Sequence, residues 1–171
     1  MDKTDARRDG CATGISCERA AYDELQCYTL ALGDADFVHQ HVVDAWAAQH
    51  ATEKTKPIGL AFALVGLFLH LEEGLSGRQV QKVHMALARR RQDWPSFALP
   101  ENRGSVTAVD VMAAPAGPDR DRAIDAWCAS VWDAFAASHE AVAELLESHI
   151  GPRERLFAPA QPIDELDGPG K

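Results

Sequence analysis

The stretch PIGLAFALVGLFLHLEEG, residues 57–74, decides the fold. Proline suits a first helical turn, where its missing N–H would have no partner anyway, so Pro57 marks a helix start. From Leu60 to Leu71 the only residue with a polar side chain is His70. A helix that is apolar all round has no face to give to water, and this spacing predicts the central, most buried element of the molecule. The run is well short of the roughly 20 apolar residues needed to span a bilayer. It ends in His70, Glu72 and Glu73, with Gly74 as a helix stop.

Such a helix needs neighbours on every side, and the flanking sequence supplies them. Upstream, Ser16 is a plausible cap for CERAAYDELQCYTLAL, whose apolar residues recur three and four apart and end near Gly33. Asp34 or Asp36 then caps a second helix. Its buried face is either Phe37, His41, Asp44, Ala45 and Ala48, or Val38, Val42, Ala45 and Gln49. Downstream, Ser76 opens GRQVQKVHMALARRR, with Val80, Val83, Leu87 and His84 as inward candidates. Residues 92–106 carry two prolines, a glycine and an asparagine, which predicts a surface loop with Trp94, Phe97 and Leu99 tucked beneath it. A short helix follows from Thr107. The longest periodic stretch then runs from Asp119 to Ile150 and closes at Gly151, with an inward stripe of Ile124, Cys128, Val131, Phe135, Ser138 or His139, Val142, Leu145 or Leu146, and His149.

No segment alternates with the period of a strand. The expectation is an all-α, compact helical bundle of four main helices plus one short helix, with a surface loop and a mobile C-terminal tail. The domain limits expected are a flexible N-terminus at 1–15, the bundle at 16–151 and a flexible tail at 152–171.

Composition narrows the function classes. At 46% hydrophobic and 25% charged, the chain reads as a soluble globular protein. Its formal charge of −9 disfavours nucleic acid and anionic membrane surfaces, whose attraction depends on clustered Lys and Arg. Arg89, Arg90 and Arg91 sit where a helix ends and read as a solvated run. The N-terminal MDKTDARRDG has no apolar signal region, so a cytoplasmic setting is expected. The four cysteines, at 11, 17, 27 and 128, form no CxxC pair and are expected to stay reduced. Gly-rich phosphate loops, GxSxG elbows and dinucleotide fingerprints are absent.

Chemistry, if present, centres on the histidines. DADFVHQHVVDAWAAQH, residues 34–50, holds three of the seven. His39 and His50 are separated by about 16 Å along a helix axis and cannot share an ion. His41 and Asp44, three apart, are neighbours on one face, where a carboxylate can orient an imidazole or join it as a metal ligand. His70 and Glu73 repeat the spacing. With His139 on the last helix, a bundle can bring His41, Asp44, His70 and His139 to one divalent metal, zinc or iron. A metal-free reading pairs a Cys17 thiolate with His39 or His139 as base. Trp46, His50 and Trp132 are candidates to line a substrate pocket, although tryptophans at such positions more often belong to a core. Inward histidines, likewise, are more often hydrogen-bonded core residues than ligands.

VHQHVVDAWAAQH, the helix ending LEEGL and WCASVWDAFAASHEAV together resemble an uncharacterised family of small bacterial proteins known as a domain of unknown function. The resemblance covers roughly residues 15–150 and marks Cys17, His39, Asp44, His50, Trp132 and His139. Trp46 stands where that family has Tyr, Ala63 where it has His, and His70 belongs to this chain alone. The resemblance carries no activity.

Two functional expectations result. The first is a small cytoplasmic enzyme acting on a small molecule between helices two, three and five, with His39 or His41 as base or ligand, Asp44 as its orienting carboxylate and His139 as a facing acid. The second is a non-catalytic helical module that binds a ligand or homodimerises, its histidines structural.

Overall fold

The computed structural model describes residues 14–89 and 93–150. The expected tail, most of the expected flexible N-terminus and two of the three consecutive arginines lie outside these. Among the described residues there are seven α-helices and no strand: α1 (Gly14–Leu32), α2 (His39–Gln49), α3 (Pro57–Leu71), α4 (Gly77–Ala88), α5 (Ala108–Ala113), α6 (Pro118–Ala134) and α7 (His139–Ile150). The all-α expectation holds, while four main helices plus one short undercounts. Among them, none is long and apolar enough to cross a membrane.

The central position of α3 is as its composition requires. Leu60, Ala61 and every residue from Ala63 to Leu69 are buried, within a single chain. Helices α2, α4, α6 and α7 pack around it. Each fully buried Leu or Val here contributes roughly 1.5–3 kcal/mol relative to exposure. Gly74 takes a left-handed φ of +66°, and the Leu75 N–H turns back to the Leu69 carbonyl at 2.9 Å, satisfying a helix-end acceptor.

Helix ends follow local chemistry. At α4 the Ser76 side chain takes the Gln79 backbone N–H while the Gln79 side chain takes the Ser76 N–H, and Thr107 with Asp110 repeats this box at α5. At α2 the expectation of an aspartate cap is half met. Asp34 accepts from the Val38 N–H at 3.3 Å, but the residue at the cap itself is Val38.

The predicted single helix over 119–150 is broken. Phe135 sits near φ −95°, ψ 22°, and residues Ala136–Ser138 form a 3-10 turn between α6 and α7. The Trp132 carbonyl explains the break. It accepts from the Phe135 N–H at 2.9 Å and bonds to the His139 ring at Nε2, 3.0 Å away, so a side chain from the next helix helps satisfy an α6 carbonyl near the helix end. The inward stripe survives the break, because Ile124, Cys128, Val131, Phe135, Ser138, Val142, Leu145 and Leu146 are all buried.

Trp127 and Trp132 are both buried. The Trp127 indole N–H donates to Gln49 at 2.8 Å, and the Gln49 amide donates to the Val106 carbonyl at 2.9 Å. This chain satisfies the polar edge of the tryptophan and ties the loop to α2. Trp94, Phe97 and Leu99 pack against the core from that loop, as expected.

Candidate functional site

The buried face of α2 merges the two stripes read from sequence: His41, Val42, Asp44, Ala45 and Ala48. His41 and Asp44 are therefore both inside. Yet the expected pair does not form. His41 Nδ1 and Asp44 Oδ2 are each buried without a hydrogen-bond partner, and the Asp44 Oδ1 accepts from the Gln40 amide at 3.0 Å. Asp44 lies against α3 at Gly66, where any Cβ would overlap its carboxylate. Burial pushes the Asp44 carboxyl well above its ordinary range, opposed by the Gln40 hydrogen bond.

The His41 ring instead stacks on His70 of α3, with centroids 3.6 Å apart and planes 19° from parallel. His70 Nε2 lies 3.0 Å from Asp125 Oδ1 on α6. An ionised carboxylate only accepts, so in this bond Nε2 carries the hydrogen, and in the neutral form of the ring Nδ1 holds the lone pair. Burial, and next the neighbouring His70, hold His41 down at about 3, so at neutral pH its ring is uncharged.

His41, His70 and Asp125 stand in the wall of a cavity of about 800 Å³ between the end of α1, the start of α2, the end of α3 and the starts of α4 and α6. Asp34, Asp36 and Asp121 complete its acidic lining, with Leu32, Val38 and Leu75 as apolar surface, and no Lys or Arg among the lining residues. Phe37, at φ +57°, gives the α1–α2 loop its turn. That loop is clamped to α4 because the Arg78 N–H donates to the Asp36 carbonyl at 2.8 Å. Gly77 permits the approach, since a Cβ there would overlap the Phe37 carbonyl. Helix ends of both senses surround the cavity, so side-chain charge decides its sign.

The remaining sequence candidates lie elsewhere. His139 stacks on Trp132 at 3.7 Å and 5°, and the Trp132 indole donates to Glu72 at 3.0 Å. His50 stacks on Trp46, which stacks on Tyr22, with Glu18 3.3 Å from His50. His39 Nδ1 is 2.9 Å from the Thr29 hydroxyl, and burial lowers its pKa. Trp46, His50 and Trp132 are thus not in the lining of the acidic cavity. Cys17 is disulfide-bonded, so it presents no thiolate in this form, and the expectation that all the cysteines stay reduced fails there. Cys27 and Cys128 are free. The thiol of Cys128 points at the His41 carbonyl, 3.7 Å away, and burial pushes its pKa up.

The expected metal set is not assembled. Among the described residues no group of three or more His, Cys, Asp or Glu is placed to hold an ion. His139 is taken up by Trp132, Asp44 faces Gly66, and the two remaining imidazoles are stacked. Imidazole lone pairs lie in the ring plane, and two nearly parallel planes 3.6 Å apart do not aim them at one point.

Sequence reasoning missed Asp125, Asp121, Asp34 and Asp36 as cavity residues. Asp121 and Asp125 have the spacing of a solvated helix face, and Asp34 and Asp36 read as caps, so no local signal set them apart.

No match was found among curated proteins or among solved structures. Residues 7–136, most of the chain, match the model of a family of unknown function, DUF5946, and the chain belongs to that family.

Proposed function

We propose that the protein is an enzyme acting on a small molecule in the acidic cavity, with His70 as general base and Asp125 as its orienting carboxylate. The observation that carries this reading is the His70–Asp125 bond at 3.0 Å in the wall of a cavity large enough for a small organic molecule. With Nε2–H committed to Asp125, Nδ1 of His70 is free to take a proton from the ligand, and the carboxylate stabilises the imidazolium that forms. The neutral His41 face beneath adds no like charge to oppose that step. The charge moves on a ring that is pinned by packing on one side and by a hydrogen bond on its edge, so little reorganisation accompanies the transfer.

A metabolite extract incubated with the full chain and followed by mass spectrometry tests this. Consumption of one component by the wild type, lost in both His70→Asn and Asp125→Asn, supports it. Equal consumption by the variants moves the chemistry to another site. A component that is bound but unchanged favours the second reading, a ligand-binding module. That reading draws on His39, His50, His84 and His139, each of which has a partner consistent with a structural role.

A further inference from the structure

We infer that a second cavity of about 920 Å³, between the α2–α3 connection and the loop that precedes α5, binds a small organic monocarboxylate, its charged end on Arg103 and its carbon body on an apolar surface. This cavity shares no lining residue with the acidic one, so the inference stands apart from the enzyme reading above.

Arg103 carries the argument. It is half-buried and lines the cavity, and among the described residues no hydrogen bond or ion pair engages it. Its Nε is buried without a partner, whereas the two terminal guanidinium nitrogens are not closed off, so the planar fork is reachable from the cavity that Arg103 lines. The other half-buried arginine among the described residues, Arg120, shows the usual arrangement: it donates to the Ala114 carbonyl at 2.9 Å and lies 4.5 Å from the Tyr28 ring centroid. Scarcity of carboxylates does not explain the exception, because the chain has 26 Asp and Glu against 17 Lys and Arg. Taking part of a guanidinium out of water without a partner costs stability. A ligand carboxylate, which matches the fork with two parallel bonds, offsets that cost when it arrives.

The rest of the lining fixes the class. The Thr52 and Thr55 hydroxyls accept the N–H groups of Lys54 and Thr52, at 3.3 and 2.8 Å, so their own hydrogens remain to donate to an anion. Lys54 adds a second cation, and Leu60, Phe97 and Leu99 give a carbon body an apolar surface. Glu53 and Glu101 also line the cavity, which balances its charges two against two. A monoanion seated on Arg103 adds one negative charge to that balance and a phosphate dianion nearly two, so repulsion favours the carboxylate. Both walls stand without a ligand. On one side the Thr55 N–H closes a turn on the Thr52 carbonyl at 2.8 Å. On the other, the Ser105 and Val106 N–H groups donate to the Ser130 hydroxyl at 2.8 and 3.2 Å, and Gly104, at φ +107°, allows the close approach to Ser130 that holds the chain beside Arg103. Little has to be ordered on binding.

The test titrates hexanoate, hexylphosphate, inorganic phosphate, hexanol and hexylamine into the full chain, followed by calorimetry and by the Arg103 Nε–H resonance. The expected result is saturable hexanoate binding that moves this resonance and weakens about tenfold or more in Arg103→Gln and severalfold in Lys54→Gln. Arg89→Gln, at an exposed arginine outside both cavities, should leave it unchanged. Hexanoate binding that is equal in Arg103→Gln and the wild type, or that leaves the Arg103 resonance in place, overturns the inference. Tighter binding of hexylphosphate or inorganic phosphate, with the same shift, overturns the carboxylate class. Hexanol or hexylamine bound as well as hexanoate overturns the anionic one. Absence of binding by every probe overturns the site itself. Should Arg103→Gln fail to fold, the wild-type resonance and Lys54→Gln decide, and hexanoate binding unchanged in Lys54→Gln then overturns the inference.

Discussion

Two of the histidine stacks among the described residues share a geometry and differ in how their polar atoms are used. His139 lies on Trp132 with centroids 3.7 Å apart, and His41 lies on His70 with centroids 3.6 Å apart. At the first, the ring nitrogen bonds a main-chain carbonyl at the break between α6 and α7, and the indole is bonded in turn to Glu72. That ring nitrogen and the indole N–H are both spent in holding the chain. At the second, a nitrogen is left buried without a partner, and the companion ring faces an acidic cavity with an aspartate behind it. Stacking alone therefore says little about role. The hydrogen bonds around a ring decide whether it is structural or available, because an unsatisfied buried polar atom costs stability that a structural element has no reason to bear.

The largest effect should come from the packing beside the second stack. Gly66→Ala places a methyl inside the Asp44 carboxylate and should destabilise by about 3 kcal/mol or more. The same change in an Asp44→Ala background should cost clearly less, measured by denaturant unfolding, since most of the overlap is with the removed carboxylate. Equal costs in both backgrounds would show that Gly66 is needed for some other reason.

Next in size, His139→Ala should lose about 2 kcal/mol through the vacated stack and the lost carbonyl bond. His41→Phe should hold stability at pH 7 or gain, because it keeps the stacked area and removes an unpartnered nitrogen. If the two variants lose equal stability, the contrast between the stacks fails.

Acid titration sharpens the same point. His41 is held at about 3 in the folded chain against 6.5 ordinarily, so between those values the unfolded state binds more protons. Stability should rise with pH across that window and fall away as pH drops from 6.5, with a slope of up to about 1.4 kcal/mol per pH unit from this one group. His84, held at about 4 by burial, adds in the same sense. His41→Phe should flatten the slope. Asp44 acts oppositely: its raised folded pKa makes the folded state bind the extra proton, so its contribution is lost as pH rises above about 4. Asp44→Asn should therefore gain on the wild type as pH increases, read from unfolding midpoints at pH 4 and pH 8.

The smallest expected effect is the most telling for function. The Asp125 side chain is 60% exposed, so Asp125→Asn should change stability by less than about 0.5 kcal/mol. Within the proposed site it should nonetheless abolish turnover. A large stability loss with turnover retained would reverse the assignment, making Asp125 a structural partner of His70.

The sequence by itself determined what depends on local periodicity and chain chemistry. An apolar stretch without a polar face had to be central, and α3 is. Ser76 and Pro57 marked helix starts that are present. The inward stripe of the last third was legible from its spacing, although the helix break was not, because it depends on a His139 ring reaching the Trp132 carbonyl. An uncharacterised domain family was likewise the expectation, and the chain belongs to one.

Only the tertiary structure decided which polar residues meet. His41 and Asp44 are neighbours by helical spacing, yet each found a different partner, because α3 offers His70 to one and a glycine gap to the other. His70 was paired in sequence with Glu73 three residues away and in space with Asp125, 55 residues away. Periodicity fixes which face of a helix turns inward. The rotation and height at which two such faces come together are set by the packing of the whole core, and the chemistry of this cavity arises there.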